Sequence, residues 1–85
     1  MTFPTIHRNG TAAEDLLADY IDACQDLRTA IQTIQRNGPN GRDYYPQGNA
    51  AMQAAQAEHQ SRLERLTAVL QELDAIAEHV SKEVR

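Results

Sequence analysis

Cysteine, tryptophan and phenylalanine are nearly absent from this chain of 85 residues, which has one Cys, no Trp and one Phe. One cysteine, Cys24, cannot form an internal disulfide, and a lone thiol is typical of a reducing, intracellular setting. The histidines (His7, His59 and His79) have no paired ligand spacing with one another or with Cys24, so we expect no metal site and no cofactor. A chain this short is marginally stable alone, and self-association is the remaining way to stabilise it.

A long apolar run and an excess of positive charge are also missing. No stretch approaches the roughly 20 apolar residues of a membrane span, and residues 1–10 lack the pattern of a signal peptide. The formal net charge is −4, which argues against nucleic acid as a partner, because its backbone is bound by a basic face. We therefore expect a soluble, cytoplasmic protein of one domain, residues 1–85, with no membrane partner.

Two stretches have the alternating three- and four-residue spacing of apolar positions that is typical of a coiled-coil helix. The first stretch predicts a helix over residues 12–36. We expect a capping box, Thr11 with Glu14, at its start, and a left-handed Gly38 followed by Pro39 at its end. Its seam positions are Ala13, Leu17, Tyr20, Cys24, Leu27, Ile31 and Ile34.

The second stretch predicts a helix over residues 50–83, with Asn49 as its N-cap. The predicted fold is all-α, in which the two helices form an antiparallel, coiled-coil-like hairpin. Residues 1–10 are predicted to form a short extended arm, which packs on the part of the longer second helix that overhangs the first. The seam positions of the second helix are Met52, Gln56, His59, Leu63, Leu66, Leu70, Leu73, Ala77, Val80 and Val84.

One side of this hairpin, which we call the apolar flank, is apolar beyond the seam. The opposite flank is polar, with Arg28 and Asp74 on it, and Ile21 is the exception. Two helices cannot cover the apolar flank by themselves, so we expect a homo-oligomer, a dimer or larger, in which hairpins form a helical bundle. The apolar flank consists of Leu16, Ala23 and Ala30 of the first helix and Val69 and Ile76 of the second.

The connecting segment, residues 37–48, has the richest chemistry in the sequence. Helix–helix connections usually have about two to eight residues, and long ordered loops are often functional. Arg42 suits phosphate or carboxylate, Tyr44 and Tyr45 offer rings for stacking, and the first N–H groups of the second helix form an anion-binding terminus. The other polar candidates for a ligand site here are Arg36, Asn37, Asn40, Asp43 and Gln47.

Three interpretations of the connecting segment stay open. It is a plug that closes the end of the hairpin, a surface for a partner protein, or the site of a small anionic, nucleotide-like ligand. Gln56 and His59 lie on the otherwise apolar seam beneath it. They are either an interior pair that fixes the helix register or the floor of a pocket.

The remaining candidates favour binding over catalysis. Cys24 and Tyr20 are expected in the core, and no nucleophile is paired with a base, so we expect no catalytic residues and no enzyme. A hydrolase that uses Asp43 with His7 or His59 is a further alternative.

The first helix also has an acidic face, which consists of Asp15, Asp19, Asp22 and Asp26. This face is either a solvated surface or one that meets a basic partner or a divalent ion.

Two sequence words, TIHRNGT at residues 5–11 and NGRDYYPQG at residues 40–48, resemble a group of small proteins of tailed bacteriophages and prophages. The likeness covers nearly the whole chain, and we attach no activity to that group. It implies a phage-derived protein that acts in the bacterial cytoplasm or is packaged in the virion. By analogy of setting, it is an anti-defence binding protein or an assembly accessory.

The two words lie at opposite ends of one hairpin, so we expect them to meet only through assembly. In an antiparallel pair of hairpins, the arm of one chain approaches the connecting segment of the other. The predicted composite site combines Thr5, His7, Arg8 and Asn9 of one chain with Arg42, Asp43, Tyr44 and Tyr45 of its partner.

The function expected first is sequestration of a small anionic, nucleotide-like ligand at the connecting segment. The alternative is an oligomeric interaction protein that contacts a host or phage protein through the connecting segment and the acidic helix face.

Overall fold

Two long helices dominate the computed structural model, which describes residues 1–84. Helix α1 is Ala13–Arg36, helix α2 is the single turn Gly41–Tyr44, a 3-10 turn follows at Tyr45–Gln47, and helix α3 is Asn49–Ser81. No β-strand occurs in the described range, so the all-α prediction is confirmed. Arg85, the last residue of the predicted domain, lies outside the described residues.

α1 and α3 pack along each other in opposite directions. Arg28 of α1 is paired with Asp74 of α3, whereas Gly38, ten residues later, lies against His59, fifteen residues earlier. Because the chain advances along α1 while its contacts recede along α3, the two helices form an antiparallel hairpin, as the seam pattern predicts. The pair Arg28–Asp74 also confirms that these two residues share a flank.

The seam between the helices is the hydrophobic core. All seven predicted seam residues of α1 are buried or half-buried, and on α3 the pattern is kept from His59 to Val80. The prediction for Gln56 is wrong: its side chain is exposed, and Ala55 is buried in its place. Positions 52, 55, 59 and 63 lie on one face of a helix. Ala55 therefore contributes a small apolar side chain to the contact, and the polar amide of Gln56 is not buried.

The longer helix overhangs at the end that carries the connecting segment. α3 has 33 residues and α1 has 24, which corresponds to roughly 50 and 36 Å at about 1.5 Å per residue. Since Gly38 lies against His59, the first turns of α3 project beyond α1. The prediction that the arm covers the overhang is therefore wrong. The connecting segment packs there, and the arm contacts α3 at its other end, at His79.

The helix ends differ from the predicted caps. Ala12 is the N-cap residue of α1 and has no side-chain cap hydrogen bond, so the capping box of Thr11 and Glu14 is not formed. At the other end, Asn37 closes the helix, since its backbone N–H and its Nδ2 both donate to the Thr33 carbonyl oxygen, at 3.1 and 2.7 Å. A side-chain donor thus satisfies the terminal carbonyl, and a left-handed Gly38 is not needed.

Gly48 is the one residue of positions 1–84 with a positive φ, at 95° with ψ 172°. It is the residue before α3, so it takes the N-cap position predicted for Asn49. The 3-10 turn Tyr45–Gln47, which precedes Gly48, is closed by the Gly48 N–H, which donates to the Tyr45 carbonyl oxygen at 3.3 Å. This backbone conformation is accessible essentially to glycine alone, so Gly48 sets the direction in which α3 begins.

The hairpin is a thin rod with extents of 60 × 21 × 17 Å. Its radius of gyration is 18.5 Å, against about 12 Å for a compact chain of this length. It exposes 6366 Å², whereas a compact monomer of this mass exposes roughly 5,000 Å². No helix within residues 1–84 has both the length and the apolar character of a membrane span.

We expect Gly48→Ala to destabilise the protein by about 1 to 3 kcal/mol, because alanine is strained at this φ and ψ. Gly41→Ala is the matched control, since Gly41 is helical and its Cβ would meet nothing within 4 Å. The control should change stability by less than about 0.5 kcal/mol. Urea unfolding of the two variants measures the difference, and equal midpoints would contradict this role of Gly48.

Candidate functional site

The connecting segment is folded rather than irregular. The Asn40 Oδ1 accepts a hydrogen bond from the Arg42 backbone N–H at 3.2 Å, and the Asp43 N–H donates to the Asn40 carbonyl oxygen at 3.0 Å. Asn40 thereby caps α2. Because its side-chain oxygen is engaged in this cap, Asn40 has a structural role, which the sequence analysis did not separate from ligand recognition.

The two adjacent tyrosines have different environments. Tyr44 is half-buried and lines an open cleft of about 270 Å³ with Pro39 and with Ala51 and Ala54 of α3. Tyr45 is 83% exposed. Tyr44 therefore packs as a plug on the overhang of α3, whereas the Tyr45 ring is available to a ligand or a partner.

The charged residues of the connecting segment face solvent. Arg42 and Asp43 are exposed, and within residues 1–84 neither forms an ion pair. Arg36, also exposed, donates from its Nη2 to the Thr33 Oγ1 at 3.3 Å, and no ion pair within residues 1–84 joins it to Asp43. Gln47 also lines the Tyr44 cleft. Asp43 therefore does not neutralise a neighbouring arginine.

His59 lies beneath the start of the connecting segment. It is half-buried, and its Nε2 would be 3.1 Å from a Cβ placed on Gly38, so the ring packs directly on that glycine. Gln56 is exposed and cannot form a pocket floor with it. The interpretation of Gln56 and His59 as the floor of a pocket is therefore wrong. His59 instead lies in the interior, where it fixes how the connecting segment approaches α3.

The arm is held at the opposite end of the rod by His79. The rings of Phe3 and His79 stack with centroids 4.8 Å apart and an interplanar angle of 19°. The His79 Nε2–H donates to the Pro4 carbonyl oxygen at 3.1 Å, since a carbonyl oxygen only accepts. The arm thus packs on the second helix through Phe3, although at the end opposite the predicted overhang, and sequence patterns did not single out His79 for this contact.

The remaining arm candidates form a tight turn. The Gly10 N–H donates to the His7 carbonyl oxygen at 3.1 Å, and the His7 ring lies so close to Gly10 that a Cβ there would be 2.9 Å from its Nε2. His7, Arg8 and Asn9 are exposed in this turn, as is Thr5 before it. In a single chain these residues are at the end of the rod away from the connecting segment. The arm and segment candidates therefore remain two separate groups.

A buried thiol lies next to the salt bridge of the polar flank. Arg28 Nη2 contacts both carboxylate oxygens of Asp74, at 2.8 and 2.9 Å. Burial raises the pKa of the Cys24 thiol above its ordinary value of 9.0, a hydrogen bond to Asp74 and its negative charge raise it further, and Arg28 opposes them. The thiol is thus protonated at neutral pH, in agreement with the core role expected for Cys24. Within residues 1–84, no three His, Cys, Asp or Glu side chains are grouped as a metal site.

Charge is unevenly distributed along the rod. Residues 34–66, at the end with the connecting segment, carry four arginines and three carboxylates, whereas the rest of the chain carries four cations and nine carboxylates. One end is therefore slightly cationic in a protein whose net charge is −4. The cations at that end are Arg36, Arg42, Arg62 and Arg65.

Comparison of this chain with protein-family models, with curated proteins and with solved structures finds no match.

Cys24 predicts a pH dependence of stability. Because its folded-state pKa lies above the unfolded value of 9.0, the contribution of the thiol is fully present below pH 9 and is lost as the pH rises through the folded-state pKa. We expect the free energy of unfolding of the wild type to fall above pH 9 relative to that of Cys24→Ala. Chemical denaturation of both proteins across this range measures it, and parallel pH profiles would contradict the assignment.

His79→Ala should release the arm. The variant loses the ring stack on Phe3 and the hydrogen bond to Pro4, together worth about 1 to 3 kcal/mol. We expect the amide resonances of Thr5 and Ile6 to move to random-coil values in heteronuclear NMR spectra. His59→Ala is the control, because His59 lies at the other end of the rod. An arm whose resonances are unchanged in His79→Ala would show that His79 does not hold it.

Proposed function

We propose that this chain is a non-enzymatic binding protein that sequesters a small anionic, nucleotide-like ligand at the connecting segment. The observation that carries the proposal is the exposure of the Tyr45 ring and the Arg42 guanidinium beside the start of α3. A large aromatic ring that is 83% exposed gains no packing energy from its own chain. Stacking on a flat ligand gives that ring a use.

The start of α3 favours an anion in the same place. No side chain caps the helix, so its first N–H groups are not satisfied in that way. The positive end of the helix dipole adds to the charge of Arg42. The local excess of arginine at this end of the rod acts in the same direction, because it attracts anions to one end of an otherwise acidic chain.

We also propose that the protein self-associates through its apolar flank. On the apolar flank, Ala23, Ala30 and Val69 are exposed, and Leu16 and Ile76 are only half-buried. The chain exposes roughly 1,300 Å² more than a compact monomer of its mass, and a standard interface buries about 800 Å² per partner. A homo-oligomer in which hairpins pack along this flank removes the excess.

Assembly also has a consequence for the site. In an antiparallel pair of rods, the turn of His7, Arg8 and Asn9 on one chain lies near the connecting segment of the other. We propose the composite site on this basis, with Thr5 and the turn from one protomer and residues 42–45 from its partner. It gives the exposed polar residues of the arm a shared role with the exposed Arg42 and Tyr45.

A second candidate function is that of an assembly protein that contacts a host or phage protein. The observation that favours it is the acidic face of α1, whose four aspartates are exposed and form no ion pair with any residue of positions 1–84. Such a face suits a basic partner surface. The resemblance of residues 5–11 and 40–48 to phage proteins supports a setting in the bacterial cytoplasm for either function.

A thermal-shift experiment with AMP, ADP, ATP and cyclic di-AMP tests the first candidate. A ligand at a hundredfold excess over its Kd stabilises a protein by about 2.7 kcal/mol, which raises Tm by about 10 °C or more for a chain of this size. We expect Arg42→Ala and Tyr45→Ala to lose the shift and Gln25→Ala, at an exposed position midway along the rod, to keep it. No shift with any nucleotide, together with a captured protein partner, would favour the second candidate.

Val69→Glu should disrupt the oligomer, because a carboxylate on the apolar flank would be buried without a partner. Ile21→Glu is a closely matched control, since Ile21 and Val69 are 42% and 44% exposed and lie on opposite flanks. We expect multi-angle light scattering to give a reduced mass for Val69→Glu and the wild-type mass for Ile21→Glu. Two variants with the wild-type mass would rule out assembly through the apolar flank.

A further inference from the structure

Two clefts meet at Arg62 of α3. The first is the Tyr44 cleft described above, which ends at Glu58 and Arg62. The second, of about 350 Å³, is lined by Ile34, Leu66 and Arg65 as well as Arg62. Each cleft is near the small end of the range of about 300 to 1,000 Å³ that is common for ligand pockets, and Arg62 lines both of them.

The second cleft has an apolar wall with a cationic rim. Ile34 and Leu66 are half-buried seam residues, and nearly all of the exposed wall consists of carbon atoms. Since two of its four lining residues are arginines, their methylene stems face the cleft and their charged heads lie at its edge. An apolar floor under a cationic rim is complementary to an anion that carries a flat apolar group.

The charge of Arg62 is only weakly engaged within the chain. Its Nη2 is 3.7 Å from the Glu58 Oε1, and the two side chains are 56% and 63% exposed. An exposed pair at this separation contributes little, so a phosphate that binds Arg62 bidentately replaces it at small cost. Arg65 donates its Nε–H to the Ser61 carbonyl oxygen at 3.3 Å, which holds its stem along the helix.

We propose that Arg62 is an anion-binding residue of the ligand site, with the apolar part of the ligand in the cleft of Ile34 and Leu66. The inference rests on the proposed nucleotide-like ligand and extends its site from Arg42 and Tyr45 to α3. It assigns one anionic group of the ligand to the Arg62 guanidinium and an apolar part to the cleft wall, as contacts separate from those of Arg42 and Tyr45. Glu58, the opposing carboxylate, restricts the anion to the Arg62 side and accepts hydrogen bonds from an amino group of the ligand.

Isothermal titration calorimetry tests the assignment with the tightest-binding nucleotide of the panel above. We expect Arg62→Gln to raise Kd by about tenfold or more, because one charge-assisted bidentate contact is lost. Arg62→Lys should give an intermediate Kd, since it keeps the charge and loses the fork geometry. Gln25→Glu makes the same change in net charge at an exposed position midway along the rod and should leave Kd within about twofold of the wild type.

The outcomes separate this inference from the proposed function. A nucleotide that binds the wild type and Arg62→Gln equally well overturns the role of Arg62 and leaves the proposed function standing. Equal weakening by Arg62→Gln and Gln25→Glu also overturns it, because net charge alone would then explain the change. If no nucleotide of the panel binds the wild type, the proposed function fails, and the role of Arg62 fails with it. All variants should keep the wild-type Tm without ligand, since Arg62 is more than half exposed.

Discussion

The apolar seam between α1 and α3 is the contact on which the rest of the structure depends. It is narrow, and among the described residues only six apolar side chains are buried, of which Val80 alone is fully buried. Two helices that share a single seam bury little surface per residue, and the result is the thin rod described above. A second copy on the apolar flank would turn this seam into the centre of a bundle with a wider core. The marginal core and the proposed assembly are therefore two aspects of one constraint.

The unequal lengths of the helices determine where a site can form. The overhang of α3 lies at the end of the rod that carries the connecting segment. The segment therefore folds on the surface of α3, and Tyr44 packs there. Tyr45, one residue later, faces solvent because α2 ends at Tyr44 and the 3-10 turn begins at Tyr45. Arg62, one turn beyond His59 on α3, also lines the Tyr44 cleft. The residues proposed to bind the ligand, from the segment and from α3, thus share one end of the rod.

Much of the fold could be predicted from the spacing of apolar residues, since seam positions such as Cys24, Ile31 and Leu63 follow the three-four pattern. The direction of the overhang could not, because helix lengths do not specify the register between two helices. The caps were missed because Thr11 and Asn49 have suitable chemistry, but the chain enters each helix one residue away from the predicted position. The stack of His79 on Phe3 joins residues 76 positions apart, and no local pattern carries that information. The proposed role of Arg62 could not be predicted, because a lone exposed arginine gives no sequence signal and the two clefts that it lines are seen only in the fold.

We propose that one hairpin is an incomplete unit and that a second copy covers its apolar flank. Sedimentation equilibrium from low micromolar to millimolar protein decides this, because it gives mass without assuming a shape. We expect a mass of at least twice 9.5 kDa, with dissociation only towards the lowest concentrations. A mass of 9.5 kDa at every concentration would contradict it.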